Sequence, residues 1–273
     1  VLCVVNRRDD CRKLWQLMPE GTFHLSALMC GAHRSDVIAA IIKNLKENIP
    51  TRVISTQLVE AGVDIDFPVV YRALCGLDSV AQAAGRCNRE GLLSQGQVFV
   101  FRPPTEPPVG HLRQAAGIGK RLLQKECDDL IAPQSFTEFF QELYWLQGEN
   151  LDKHGILKDL APDSEFRFSF RTAARKFKII DDSRQATVIV AYGRGAELIE
   201  ELERREPDRY LMRRLQRYVV NLPRYLHDKL VSEGSIRLIH EGIYIQGHSA
   251  MYDEQIGFCP DRSAVYAPDD LIV

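Results

Sequence analysis

The sequence lacks several features that would define a chemical site by themselves. It has no C-x-x-C pair among its seven cysteines and no G-x-x-x-x-G-K-[S/T] phosphate-binding loop. An odd number of cysteines without close pairs argues against a disulfide framework and against a structural zinc site. We therefore predict no metal ligands in this chain, and we expect a reducing, cytoplasmic setting in which buried cysteines act as small apolar residues.

Long apolar runs and a large net charge are also missing. No stretch approaches the ~20 apolar residues that a membrane-spanning helix needs, and no secretory signal is recognisable, so we predict no membrane partner. The formal net charge of the 273 residues is only −2. Positive charge is instead local, with six arginines against two acidic residues in 204–217 and a second cluster at Arg171, Arg175, Lys176 and Lys178. Taken alone, each cluster predicts a solvated charged face.

The first 101 residues alternate between strand and helix patterns. The predicted strands are the short apolar runs at 1–5, 22–29, 52–55, 69–74 and 97–101. The predicted helices are one capped by Asp9, one over 33–47 and one over 79–89. This alternation predicts a mostly parallel sheet covered by helices, with ligands beyond the carboxyl ends of the strands.

A change of composition divides the chain after this α/β part. Residues 102–108 hold four of the thirteen prolines, which is typical of a stiff connector. We predict an α/β domain over 1–108, a helical linker over 109–165 with helices at 112–129 and 135–147, and a smaller α+β domain over 166–273. In that last domain we predict a helix at 196–205 and two hairpins, 177–180 with 187–192 and 236–240 with 243–246.

Two polar segments carry the chemical signal. One runs over 52–66 and holds Gly62 and Asp64; the other runs over 82–91 and holds Arg86 and Arg89. The first follows the predicted strand at 52–55, and the second comes after the strand at 69–74 by way of the helix over 79–89, so we expect them to meet near one end of the sheet. Guanidinium groups are always charged and bind phosphate oxygens through paired hydrogen bonds, so two arginines three residues apart suit a polyphosphate.

These segments resemble motifs V and VI of superfamily 2 helicases. Over about residues 51–91 the sequence is similar to the type I CRISPR-associated helicase–nuclease, and the matching stretch reads ISTQLVEAGVDIDFPVVYRALCGLDSVAQAAGRCNREG. Weaker similarity is present at 1–18 and 24–34. The resemblance implies that the first domain is the second RecA-like domain of such a motor. After Pro108 the chain resembles the linker and C-terminal domain of that family by position and length.

The resemblance also implies roles for single residues in motif V. Thr56 would place its hydroxyl against a phosphate of single-stranded DNA. Gly62 would let the backbone pass close to ATP, and Asp64 would help to sense the nucleotide.

In motif VI, Gln82 and Arg86 would face the γ-phosphate side of ATP. Arg89 would be the arginine finger, a group that elsewhere supplies ~10³–10⁵ in rate. Ala83 stands where the family usually has arginine.

The remaining machinery of the family would lie N-terminal to Val1. ATP and magnesium would be held mainly by the first RecA-like domain, and the nuclease metal by an HD domain. Because the chain opens inside a predicted strand without methionine, we expect it to be part of something larger. We expect the 273 residues alone to be catalytically inactive. Gly119-Lys120, Asp253-Glu254-Gln255 and His227-Asp228 imitate fragments of the missing motifs, and we predict structural roles for them.

The predicted C-terminal domain is expected to form a lid over the DNA path. A basic helix over 204–217 would track DNA phosphates, with Arg213 and Arg214 as the candidate contacts. The other partners that the resemblance implies are a Cascade-type CRISPR complex and, as a possibility, an inhibitor protein. Two alternatives stay open on the sequence: another superfamily 2 DNA or RNA helicase, and a non-catalytic docking module.

Overall fold

The computed structural model describes residues 1–125, 129–178 and 184–262. Its first part is a five-stranded sheet in which every pair of neighbouring strands is parallel, in the order β2-β3-β1-β4-β5. The strands are β1 (Leu2–Val4), β2 (Phe23–Leu25), β3 (Val53–Ser55), β4 (Val69–Ala73) and β5 (Gln97–Phe101). The RecA-like, mostly parallel α/β domain predicted from the alternating pattern is therefore confirmed.

Three helices cover this sheet: α1 (Arg8–Gln16), α2 (Gly31–Lys46) and α3 (Leu77–Ala84). The apolar residues of α2 recur at helical spacing, and its buried Ile41 lies in one core with Leu2 and Val4 of the central strand. A second core on the other face joins Cys3 and Ile54 to Cys11 of α1. Burial on both faces explains why the strands read as continuous apolar runs.

Two predicted helix ends in this domain are wrong. The residue before α1 is Arg7, so Asp9 does not cap the helix and lies in its first turn, where a carboxylate still favours the helix dipole. Helix α3 ends at Ala84, not at residue 89. Glycine at position 85 weakens the helix, and Cys87 then forms a parallel bridge with Phe67, which holds the following residues in a turn.

The middle of the chain holds α4 (His111–Leu123), α5 (Pro133–Gln147), α6 (Ile156–Leu160) and α7 (Phe170–Lys176). The helices predicted at 112–129 and 135–147 correspond to α4 and α5, but α4 ends at Leu123 and not at residue 129, and α6 and α7 were not predicted. Helices α4 and α5 pack their Ile118 and Phe139 against Leu77 of α3. Gly119 lets α4 approach the Cys75 carbonyl so closely that a side chain there would collide with it. This packing role explains the glycine of the Gly119-Lys120 pair.

The last part is a smaller mixed sheet with the order β7-β6-β9-β8. Its elements are β6 (Gln185–Ile189), α8 (Gly195–Arg204), α9 (Arg209–Leu215), β7 (Val219–Pro223), α10 (Arg224–Ser232), β8 (Ile236–His240), β9 (Ile243–Gln246), β10 (Tyr252–Asp253) and β11 (Gly257–Phe258). The predicted hairpin of β8 and β9 is confirmed. In the other predicted hairpin, 177–180 with 187–192, residues 179–183 lie outside the described residues. Its second strand overlaps β6, which pairs with β7 and β9.

The single basic helix predicted over 204–217 is wrong. Helix α8 ends at Arg204 and α9 begins at Arg209, because Pro207 interrupts the backbone hydrogen bonding and Asp208 caps the new helix. The Asp208 carboxylate accepts a hydrogen bond from the Leu211 amide at 2.7 Å.

The first and last parts of the chain share a core. Leu28, Cys30 and Ala32, at the start of α2, pack with Val188 and Val220 of the C-terminal sheet. The Phe258 amide donates to the Leu28 carbonyl at 2.8 Å. The α+β C-terminal part therefore docks on the RecA-like domain through buried apolar contacts, while the exact domain boundaries stay a prediction.

None of the helices in the described ranges combines the length and the apolar character that crossing a membrane requires. Within those same ranges, no group of three or more histidine, cysteine or acidic side chains is arranged to hold a metal ion.

His24 gives a pH-dependent stability that can be measured. Its ring is buried beside Trp15, and neither ring nitrogen has a hydrogen-bond partner among the described residues. Burial, with a smaller contribution from His33, lowers the pKa of His24 from 6.5 to about 4. The unfolded chain therefore takes up a proton as the pH falls through 6.5, while the folded chain stays neutral until about 4.

We expect the free energy of unfolding to fall by about 2 kcal/mol between pH 7.5 and pH 5 through this residue alone. His24→Phe should remove that part of the pH dependence, as measured by urea denaturation at both pH values. Equal pH dependence in the two proteins would contradict the assignment.

Candidate functional site

The first polar segment leaves β3 and returns along the sheet to β4. The Ser55 hydroxyl donates to the Leu25 carbonyl at 3.0 Å, and Thr56 follows as a buried residue. A single 3-10 turn over Gln57–Val59 begins the loop. Thr56, predicted to meet DNA phosphate, is only 6% exposed in this conformation, so its role stays a prediction.

Gly62 and Asp64 lie on the exposed side of this loop. Gly62 has φ of +73°, in the left-handed region that glycine adopts without steric cost, and no atom would lie within 4 Å of an added Cβ. Asp64 pairs with Arg89 at 2.6 Å between Oδ1 and Nη1. Both side chains are open to solvent, at 87% and 44% exposure. The structure thus brings predicted residues of the two polar segments together.

Arg86 has a different environment from Arg89. Its Nε donates to the Val59 carbonyl at 2.9 Å and its Nη2 donates to the Glu60 carbonyl at 2.8 Å. The half-buried guanidinium therefore ties the turn after α3 to the loop after β3. Gln82 is exposed on α3. The nucleotide contacts predicted for Gln82 and Arg86 stay predictions.

Asp66 fixes the backbone that carries Arg89. Its two carboxylate oxygens accept hydrogen bonds from the amides of Arg89 and Glu90, at 2.8 and 3.1 Å. The sequence reasoning did not assign a role to Asp66. A signal was available, because an aspartate near a turn commonly accepts backbone amide hydrogen bonds.

A buried ion pair lies beneath the loop. Arg72 of β4 is fully buried, and its Nε lies 2.8 Å from the Glu60 Oε1. The angle is unfavourable for a hydrogen bond, so charge attraction holds this contact. Burial raises the pKa of the Glu60 carboxyl, and the Arg72 guanidinium opposes that rise.

Arg72 also binds the end of the central strand. Its Nη1 donates to the Asn6 Oδ1 at 2.8 Å and to the Ala73 carbonyl at 3.0 Å. The pair with Glu60 therefore connects β1, β4 and the loop after β3. A charged residue inside the apolar strand VVYRA was the signal that sequence reasoning missed.

Three of the six arginines at 204–217 form ion pairs with nearby acids. Arg214 pairs with Glu201 at 3.0 Å and lies 5.6 Å over the Tyr210 ring. Arg204 pairs with Glu200 at 3.0 Å, and Arg205 pairs with Glu201 and Asp208. Arg213 is exposed. The DNA contacts predicted for Arg213 and Arg214 stay predictions, and the ion pair with Glu201 bears on Arg214 alone.

The two acidic motif fragments have structural surroundings. His227 is buried on α10, with its ring edge-on to Tyr244 and its Nδ1 3.3 Å from the Asp228 carboxylate. The Asp253 carboxylate accepts from the Gln255 and Ile256 amides and pairs with Arg262 at 3.0 Å. These contacts account for both fragments as parts of the fold.

Comparison with known proteins agrees with this geometry. Residues 1–92 match the family model described as CRISPR-associated nuclease/helicase Cas3, C-terminal. A CRISPR-associated nuclease/helicase Cas3 of Haloferax volcanii is 44% identical over 75 residues, which cover 23% of this chain and 8% of that protein.

Solved structures extend the likeness to most of the chain. The T. fusca Cas3 structure with ATP superposes with a TM-score of 0.58 at 12% identity, covering 89% of this chain and 35% of that one. The structure with ADP gives 0.60 at 12% identity, covering 94% and 38%. At this identity the likeness concerns the fold, and the chain spans little more than a third of these relatives.

The candidate site therefore lies where the Asp64–Arg89 pair joins the two polar segments beside the five-stranded parallel sheet. Residues 1–92 thus resemble the Cas3 C-terminal family model in sequence, and most of the chain resembles solved Cas3 proteins in fold.

The buried pair predicts a strong and non-additive effect on stability. Arg72→Met leaves the Glu60 carboxylate buried without its partner, which should cost about 3–5 kcal/mol in urea denaturation. Combining it with Glu60→Gln removes the orphaned charge, so the double variant should be more stable than the sum of the single effects implies. Strict additivity would show that the two side chains do not act as a pair.

Proposed function

We propose that this chain is the C-terminal half of an ATP-dependent helicase–nuclease of type I CRISPR interference that translocates on single-stranded DNA. Its RecA-like domain would close on a first motor lobe that holds ATP and magnesium. The nuclease metal would belong to an HD domain of the same protein. A Cascade-type complex is the proposed source of the DNA substrate, and an inhibitor protein is a possible further partner.

The exposed Asp64–Arg89 pair is the observation that supports this proposal most directly. An ion pair in solvent contributes only ~0–1 kcal/mol, so little free energy holds Arg89 on Asp64. A triphosphate presented by another lobe offers more negative charge and several acceptor oxygens. Arg89 would then leave Asp64 and stabilise the transferring phosphoryl group, as an arginine finger does.

Arg86 would act in the same site through the loop that it binds. Its guanidinium donates hydrogen bonds to the carbonyls of Val59 and Glu60, which lie shortly before Gly62 in the same loop. Movement of Arg86 toward the γ-phosphate, together with Gln82, would release this loop. The loop also carries Thr56 toward the proposed DNA path, so nucleotide state and DNA contact would be coupled through one segment.

Arg89→Ala tests the proposal in the complete protein with both motor lobes. We expect DNA-stimulated ATP turnover to fall by ~10³-fold or more, because the transition-state charge loses its partner. Binding of single-stranded DNA should change by less than twofold. Arg102→Ala is the matched control, since Arg102 is an exposed arginine paired with Glu106, and it should leave turnover unchanged.

Equal loss of DNA binding and turnover in Arg89→Ala would contradict the finger role. The purified 273 residues should show no ATP turnover by themselves. Turnover that Arg89→Ala abolishes in this shorter chain would contradict the division of the ATP site between two lobes.

A further inference from the structure

We propose that residues 166–178 form a stacking surface for single-stranded nucleic acid, which rests on the proposed function because a translocating motor needs such contacts. The segment interleaves aromatic and basic side chains. The phenylalanines are 166, 168, 170 and 177, and the basic residues are 167, 171, 175, 176 and 178.

The aromatic rings lie in solvent rather than in a core. Exposure is 83% for Phe166, 63% for Phe170 and 60% for Phe177. The rings of Phe168 and Phe170 are nearly parallel, with an interplanar angle of 12° and centroids 5.3 Å apart. A parallel, exposed pair of rings leaves an outer π-face on which a base can continue the stack.

The loop before α7 is built to present these rings. The Asp163 carboxylate accepts hydrogen bonds from the Glu165 and Arg167 amides at 2.8 and 2.9 Å. Phe166 is held between them at φ of +57°, a left-handed conformation that a bulky residue rarely adopts. The loop thus maintains an unfavourable backbone conformation at a residue whose ring is exposed.

Three cations of this segment have no acidic neighbour among the described residues. Arg171, Arg175 and Lys178 are exposed and have no acidic partner within 4.0 Å in the ranges that the structure describes. Arg167 pairs with Asp163 and Glu165, and Lys176 pairs with Asp159. Free cations beside exposed rings fit alternating phosphates and bases, whereas an apolar protein partner gains nothing from burying them.

Binding of labelled (dT)20 and (rU)20 to the 273-residue chain tests the proposal. Phe168→Ala and Phe170→Ala should each weaken binding by ~5-fold or more, because a base loses its stacking partner. Phe170→Leu keeps apolar surface without a ring and should weaken binding similarly. Trp145→Ala, at another exposed aromatic on α5, is the matched control and should have no effect. Comparison of the two oligonucleotides shows whether the surface prefers DNA.

The charges are tested by salt dependence. Arg171→Glu should reduce the slope of log K against log salt by ~0.7 or more for a single strand. Arg194→Glu is the charge-matched control, because Arg194 is exposed, pairs with Glu197 and lies outside both basic clusters, and it should leave the slope unchanged. Cross-linking of iodouracil-substituted strands should label Phe166, Phe168 or Phe170, as read by mass spectrometry.

Undiminished binding by the phenylalanine variants would overturn the inference, as would undetectable binding by the unchanged chain. If the phenylalanine variants reduced self-association of the chain but kept their affinity for the oligonucleotides, that result would overturn the inference in favour of a protein partner. None of these outcomes touches the ATPase test at Arg89, which is read on another part of the chain.

Discussion

The pairing of Glu60 with Arg72 is the constraint on which the arrangement of the RecA-like domain depends. Both side chains are buried, so each charge has lost its hydration and must be compensated by the other. Desolvation costs several kcal/mol per ion, which makes such a pair weak evidence of stability but strong evidence of position. The loop after β3 places Glu60 against the guanidinium on β4.

Fixing Glu60 also fixes the backbone carbonyls around it. The Glu60 carbonyl and its neighbour at Val59 accept both hydrogen bonds of Arg86, so the turn after α3 is positioned through the same loop. Asp66 then holds the amide of Arg89. The buried Glu60–Arg72 pair thus positions the loop, the loop positions Arg86, and Asp66 positions the backbone of Arg89, whose side chain forms the weak, exposed ion pair with Asp64. The buried Glu60–Arg72 pair keeps the loop fixed, while the exposed Arg89 is held only weakly by Asp64. This combination suits a site in which Arg89 must exchange Asp64 for another partner.

Local pattern predicted much of this fold, because the relevant forces act over a few residues. Helical spacing of apolar side chains located α2, and turn residues located the hairpin of β8 and β9. The features that the sequence did not predict depend on contacts between residues far apart in the chain. The end of α3 depends on a bridge to Phe67, and the role of Arg72 depends on Glu60, twelve residues earlier in sequence. For the site, the joining of Asp64 to Arg89 follows from strand order, whereas the binding of Arg86 to loop carbonyls does not.

Charges counted along the chain do not show which basic residues are available to a phosphate, for the same reason. The stretch 204–217 has more arginines than 166–178, yet the break at Pro207 turns α8 and α9 so that Glu201 reaches both Arg205 and Arg214. A phosphate would have to displace that carboxylate before it gained anything. In 166–178 the free cations stand beside rings that are already desolvating one another. The electrostatic contribution of a basic residue to nucleic-acid binding is therefore decided by its folded neighbours, and 166–178 is distinguished by the exposed rings beside its cations.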